Sequence, residues 1–198
     1  MRYILHIGNN EKGSALIISI LILLLLTIIG IAATNTSTIE ILISGNDKVH
    51  KMAFHQAEGG TEVGRELLEQ NIACPTGFKN EPIDIGNTRI EKKDFWQNES
   101  NATTCSYPSD SNRDIHMPAN ATSTDPHTNI KLYGVTELST GTAIQMAAGY
   151  EGKGKGAATG GGHIVYDLCP QRRGQASCES CIAIQYRHVI GQEGVCIY

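Results

Sequence analysis

Nineteen consecutive residues without a charge, Ala15 to Ala33 (ALIISILILLLLTIIGIAA), constrain this chain more than any other feature. At about 1.5 Å rise per residue the run spans roughly 28 Å as a helix, close to a bilayer core of about 30 Å. In lipid the backbone must satisfy its own hydrogen bonds, so a helix is the state such a run demands. Arg2 and Lys12 precede it and the first acid after it is Glu40. Positive residues stay cytoplasmic, which places the C-terminal part on the far side of the membrane. A cleavable secretory signal fits poorly, because its apolar region is about 7–15 residues long and ends at an A-x-A-like site. Gly30-Ile31-Ala32 is only a weak match to such a site.

About 165 residues follow the run, enough for one domain with its own core. The net charge of −4 and pI near 6.0 exclude an electrostatic case for nucleic-acid binding. Low aromatic content with abundant Gly, Thr, Ser and Asn fits a loop-rich β domain outside the cell. The six cysteines, Cys74, Cys105, Cys169, Cys178, Cys181 and Cys196, all lie beyond the apolar run. An even count in an exported domain reads as up to three disulfides, and six cysteines allow 15 pairings. Cys178-Glu-Ser-Cys181 has C-x-x-C spacing. A zinc site needs a second close pair, which is missing, and a redox motif should open a helix, whereas CIAIQY reads as a strand.

The helical pattern continues past the run to about residue 70. Val49, Met52, Ala53, Ala57, Val63, Leu67 and Leu68 recur mostly every three or four residues, a stripe on which a sheet can pack. The polar TNTST at 34–38 and glycines 45, 59 and 60 soften this helix by up to about 1 kcal/mol each. Pro75-Thr76-Gly77 ends it. Residues 76–128 read as a long polar loop with one strand at Thr88–Phe95. Stronger strands are predicted at Ile130–Leu138, Gly162–Leu168 and Cys181–Ile190, with a short closing strand at Val195–Tyr198. Their alternation of apolar and polar residues is that of a half-buried antiparallel sheet. Gln171–Gly174 and Gly191–Gly194 supply hairpin turns.

Other chemistries find little support. Residues 149–156 (GYEGKGKG) nearly match a phosphate loop, but Gly156 stands where the hydroxyl residue should follow Lys155. Of the histidines, His6 precedes the run, and His50 and His55 are five apart, on different helix faces. His116, His127, His163 and His188 are isolated, and no Ser-His-Asp or Cys-His grouping is legible. Asp110, Asp114 and Asp125 lack calcium-loop spacing. Asn35, Asn98, Asn101 and Asn120 each begin an N-x-S/T sequon and read as polar loop residues. No catalytic residue, metal site or cofactor is assigned.

Residues Gly13 to Glu58 are similar to the N-terminal region of PilX-type minor pilins. The pieces that carry the likeness are GSAL at 13–16, LTIIGIAA at 26–33, TSTIE at 36–40, SGN at 44–46 and MAFHQAE at 52–58. The C-terminal GKGAATGGGHIVYDL resembles, more weakly, the closing glycine-rich loop and strand of such proteins. The resemblance implies a type IV pilin-like α+β fold: one long helix packed on a C-terminal antiparallel sheet. It divides the chain into a leader (1–13), a transmembrane and assembly helix (14–33), an amphipathic continuation (34–72) and a disulfide-containing domain (73–198). Prepilin peptidase would cut between Gly13 and Ser14, and the Ser14 amine would be methylated. Major pilins carry Phe first and Glu fifth after this cut; here the positions hold Ser14 and Ile18. The missing glutamate suits a subunit at or near a fibre tip. Implied partners are other minor and major pilins, a PilY-type tip adhesin, prepilin peptidase and, before assembly, the inner-membrane lipid. A type II secretion pseudopilin and a signal-anchored periplasmic binding or enzymatic domain are the alternatives.

Overall fold

A computed structural model describes residues 11–98, 108–138, 162–175, 178–191 and 193–198. His6, Asn101, Cys105 and the glycine-rich residues 149–156 lie outside them. The chain forms two compact units, Met1–Asp47 and Lys48–Tyr198. Helix α1 (Glu11–Ile72) supplies the whole described part of the first unit and opens the second.

In the second unit, residues 48–72 of α1 lie on a seven-stranded antiparallel sheet. The strands are β1 (Ile83–Ile85), β2 (Thr88–Ile90), β3 (Ile115–Met117), β4 (His127–Leu138), β5 (Gly162–Arg173), β6 (Glu179–Cys181) and β7 (Ile184–Val189). The order is β1-β2-β3-β4-β5, with β6 and β7 both on the far side of β5. The pilin-like α+β expectation holds. The 12-residue ladder between β4 and β5, Leu138 opposite Gly162 to His127 opposite Arg173, is its backbone.

Strands β6 and β7 share one register. Gln171 faces Cys181 and Leu168 faces Ile184, so residues 179–189 form a single hairpin arm against β5. The interruption falls opposite Pro170. A proline has no N–H to donate, and the ladder keeps only the bond from Ile182 N–H to the Pro170 carbonyl, 3.1 Å.

Several boundaries differ from the sequence expectation. β5 continues through Cys169 and Pro170 to Arg173, so the turn is at Gly174 onward and not at Gln171–Gly174. The expected strand Thr88–Phe95 is only Thr88–Ile90, followed by a 3-10 turn at Phe95–Gln97. The loop region 76–128 holds three short strands rather than one. Val195–Tyr198 forms no strand. It is held by the Cys74–Cys196 disulfide and by the Tyr198 ring, which stands edge-on to Phe78 at 5.9 Å.

The helix stripe is also smaller-grained than its apolar residues imply. Ala53, Ala57, Thr61, Leu67, Leu68, Asn71 and Ile72 are buried, with Gly60 and Gly64 between them, whereas Met52 is 50 % exposed. A Cβ on Gly60 would stand 3.0 Å from both Pro170 Cβ and Thr128 Cγ2, and one on Gly64 3.3 Å from Ile130 Cγ2. The small residues let the helix backbone approach β4 and β5. Below them Leu67, Leu68, Ile90, Phe95, Ile130, Leu132, Tyr166 and Leu168 close a continuous core. At the helix end Asn71 replaces two missing backbone partners: its Nδ2 donates to the Lys93 carbonyl (2.7 Å) and its Oδ1 accepts from Trp96 N–H (3.0 Å). Gly77, at φ 77°, turns the chain away, and a Cβ there would meet the Lys93 carbonyl oxygen at 2.5 Å.

Candidate assembly segment and the polar clusters of the sheet domain

Gly13 and Ser14 fall within the first turns of α1, and the charge-free run follows them without a break. An 18-residue window of this helix reaches a mean hydropathy of 3.1, with none of it buried. By length and composition it is long and apolar enough to cross a membrane. Its hydroxyls are made compatible with lipid by bonding back to their own helix. Ser19 donates to the Leu16 carbonyl (2.8 Å), Thr27 to Leu24 (2.8 Å), Thr34 to Ile31 (2.9 Å), Thr36 to Ala32 (3.0 Å) and Thr38 to Thr34 (2.9 Å). A hydroxyl satisfied this way carries little of the cost of an unpaired polar group in hydrocarbon. The polar TNTST interval is therefore helical, its threonines engaged with the turn below.

Sequence separation hid three polar clusters that the sheet domain assembles. In the first, fully buried His127 is engaged at both ring nitrogens: Nε2 meets Asp110 Oδ1 at 2.8 Å and Nδ1 donates to the Asp125 carbonyl at 2.6 Å. Asn129 Nδ2 donates to the same Asp110 oxygen at 2.7 Å, and Arg173 reaches its other oxygen at 3.3 Å. Burial alone would raise the Asp110 carboxyl; bonds from Asn129 and His127 outweigh it and hold the group below its usual range. Both imidazole nitrogens face partners inside the cluster, so this Asp-His pair ties the 110 turn to the start of β4.

The second cluster centres on Asp114, 1 % exposed. It accepts from Lys131 Nζ (2.7 Å), Leu132 N–H (3.0 Å) and Asn98 Nδ2 (3.0 Å). Asn98 Nδ2 also donates to the Leu132 carbonyl at 3.1 Å. The Asn98 sequon nitrogen is thus a structural staple and not a free attachment point, while Asn120 is exposed. The third cluster joins α1 to β7: Glu69 accepts from Tyr186 Oη at 2.6 Å and contacts His188 Nδ1 at 2.9 Å. Burial, then the Glu69 carboxylate, pushes the Tyr186 hydroxyl pKa up.

The cysteines fall into two classes. Cys74 is bonded to Cys196, and Cys169 is disulfide-bonded as well. Cys178 and Cys181 are free, the first buried and the second exposed. Cys178 Sγ lies 3.4 Å from His50 Nδ1 across 128 residues of sequence, a Cys-His contact that no spacing could reveal. Among the described residues no three His, Cys, Asp or Glu side chains gather as metal ligands.

Residues 12–62 match the family model of the PilX N-terminal region. No curated protein and no solved structure matches the chain. The match covers the apolar helix and its continuation onto the sheet domain, the segment that relates the chain to type IV pilus minor pilins and fits membrane anchoring. The N-terminal quarter of this chain is thus similar to that of PilX-type pilins, and it leads into a pilin-like α+β fold.

Proposed function

We propose that this protein is a structural minor pilin that takes part in assembling type IV pili, at or near the fibre tip, and is not an enzyme. The observation that carries the reading is the junction at Lys12–Gly13–Ser14. A basic residue and a glycine lead directly into a membrane-length helix within a matched PilX N-terminal segment. Cleavage between Gly13 and Ser14 removes the leader and leaves the helix on the mature chain, with the Ser14 amine open to methylation. The protein then waits in the inner membrane, N-terminus in the cytoplasm and sheet domain in the periplasm. On assembly the helix exchanges lipid for neighbouring pilin helices. That exchange is nearly neutral hydrophobically, so side-chain packing and the work of the assembly machinery drive it.

The tip position rests on Ile18. A carboxylate at that place would need a partner for its charge inside an apolar medium, and a subunit without one has less need of a neighbour above. The sheet domain then faces the partners, other pilins and a PilY-type tip adhesin.

The mature N-terminus, read by mass spectrometry of protein extracted from native membranes, tests the processing. A chain starting at Ser14 supports it; a chain starting at Met1, or cut near Ala32, ends it. Immunogold label confined to fibre ends supports the tip position, and label spread along the fibre refutes it. A type II secretion pseudopilin is the second reading, favoured by the same Ile18. A deletion strain with normal pili and lost secretion would select it.

A further inference from the structure

We infer that Cys178 and Cys181 form an oxidisable thiol pair that the sheet holds open, so that joining them requires the β6 arm to leave β5. Their separation follows from strand geometry. Residues 179–181 pair with 173–171, and the Gly174 N–H donates to the Cys178 carbonyl at 2.7 Å, so the whole C-x-x-C lies extended. Three residues of strand advance roughly 10 Å and turn the side chain to the opposite face, whereas a disulfide needs Cα atoms within about 7 Å. Cys178 points to the helix side, beside His50, and Cys181 to the exposed outer face.

The chain thus presents two thiols of different access beside cysteines that are already bonded. Cys178, 7 % exposed, forms part of the wall of an open depression with Asp125, Arg173 and Glu179. β6 is held by three residue pairs and the flanking Gly174–Cys178 and Ile182–Pro170 backbone bonds, and Pro170, with no N–H, interrupts the ladder immediately beyond the pairs. The arm from 178 to 181 is therefore a short unit that can separate while the β5–β7 ladder stays in place.

The chemistry is two thiol–disulfide exchanges with an external disulfide. The Cys181 thiolate attacks one sulfur of that disulfide; a Cys181 mixed disulfide forms and one thiol leaves. With β6 released, the Cys178 thiol gives its proton to solvent and attacks the Cys181 sulfur; the internal disulfide forms, and the second thiol leaves after taking a proton from solvent. The protein loses two electrons and the external disulfide gains them.

Oxidised glutathione, added to the full-length protein in detergent micelles, is the probe. Peptide mapping counts the thiols, and amide hydrogen exchange follows Arg172, Gly174 and Ser180. Both thiols should be lost to one internal disulfide, together with the exchange protection of Arg172, Gly174 and Ser180, whose amides bond across the β5–β6 seam, while β4 and the 162–168 part of β5 keep theirs. Reductant should restore protection. Cys181→Ser should stay protected throughout, which separates the effect from a general action of the oxidant. An internal disulfide formed with β6 protection intact would overturn the inference. So would a product that stops at glutathione on Cys181 after prolonged exposure.

Discussion

Adjacent glycines on α1 should respond in opposite directions to the same substitution. Gly59 has nothing within 4 Å of an added Cβ, whereas the Gly60 position is pressed by Pro170 Cβ and Thr128 Cγ2 at 3.0 Å and Met117 Cε at 3.4 Å. In both places alanine favours the helix over glycine by about 1 kcal/mol. At Gly59 that gain stands alone. At Gly60 the methyl must be fitted between a proline ring and a β-branched side chain on paired strands. Overpacking of this kind costs about 1–3 kcal/mol, leaving a net loss of about 1 kcal/mol. The two variants should then lie about 2 kcal/mol apart, or roughly 4–8 °C in Tm for a chain of this size. Trp96, the only tryptophan and half-buried beside the helix end, reports unfolding of the sheet domain by fluorescence in micelles, where the membrane helix contributes no signal. Gly59→Ala should raise the midpoint and Gly60→Ala lower it. Equal stabilisation by both would show that the Gly60 face does not meet β4 and β5 as described, and the account of the stripe would fail with it.

Asp114→Ala should destabilise the domain by about 3 kcal/mol in denaturant titrations, because Lys131, Asn98 and the Leu132 amide all lose their shared acceptor in a nearly buried site; a loss under 1 kcal/mol would mean water replaces the carboxylate readily. Stability should fall on acidification in two stages. Burial, then Arg113, holds His116 below its ordinary value, so the unfolded chain gains a proton first as pH drops below about 6.5. The depressed Asp110 carboxyl adds its loss below about pH 3.9. His116→Gln should flatten the first stage and leave the second, and an unchanged first stage would assign it elsewhere. Cys74→Ser should cost about 2–4 kcal/mol and free the 193–198 tail, visible as lost exchange protection around Phe78; a tail that stays ordered would show that the Tyr198–Phe78 contact suffices.

The long helix and the β4–β5 pair were legible because each repeats its period many times: a charge-free run, a three-to-four spacing, a two-residue alternation. Strands β1 and β3 have three residues each, too few to display any period, and they exist because β2 and β4 offer them edges. The stripe on α1 departs from the sequence expectation at Met52 and Gly60 for a related reason. Apolarity marks what wants burial, but a helix lying close on a sheet selects for smallness, and glycine reads as a weak point until its neighbours are known. Pro170 reads as a strand end, yet an antiparallel partner can still donate to its carbonyl, so β5 runs through it. The contacts of Cys178 with His50 and of Glu69 with His188 join residues more than a hundred positions apart. Nothing local encodes such meetings; they follow from the hairpin register and the helix placement together.

The bond between Cys74 and Cys196 has a mechanical meaning. It sits two residues beyond the end of α1 and two before the C-terminus, and spans 122 positions of sequence. A tensile load that enters through the helix and leaves through the C-terminal tail crosses the domain along that covalent strut. The polypeptide inside the loop, roughly 430 Å of contour at about 3.5 Å per residue, is kept out of the line of force. Under traction on those two ends the sheet bears no tension and cannot be reeled out strand by strand. What remains in series is the helix itself, whose threonine- and glycine-rich stretch after the apolar run holds its weakest helix formers.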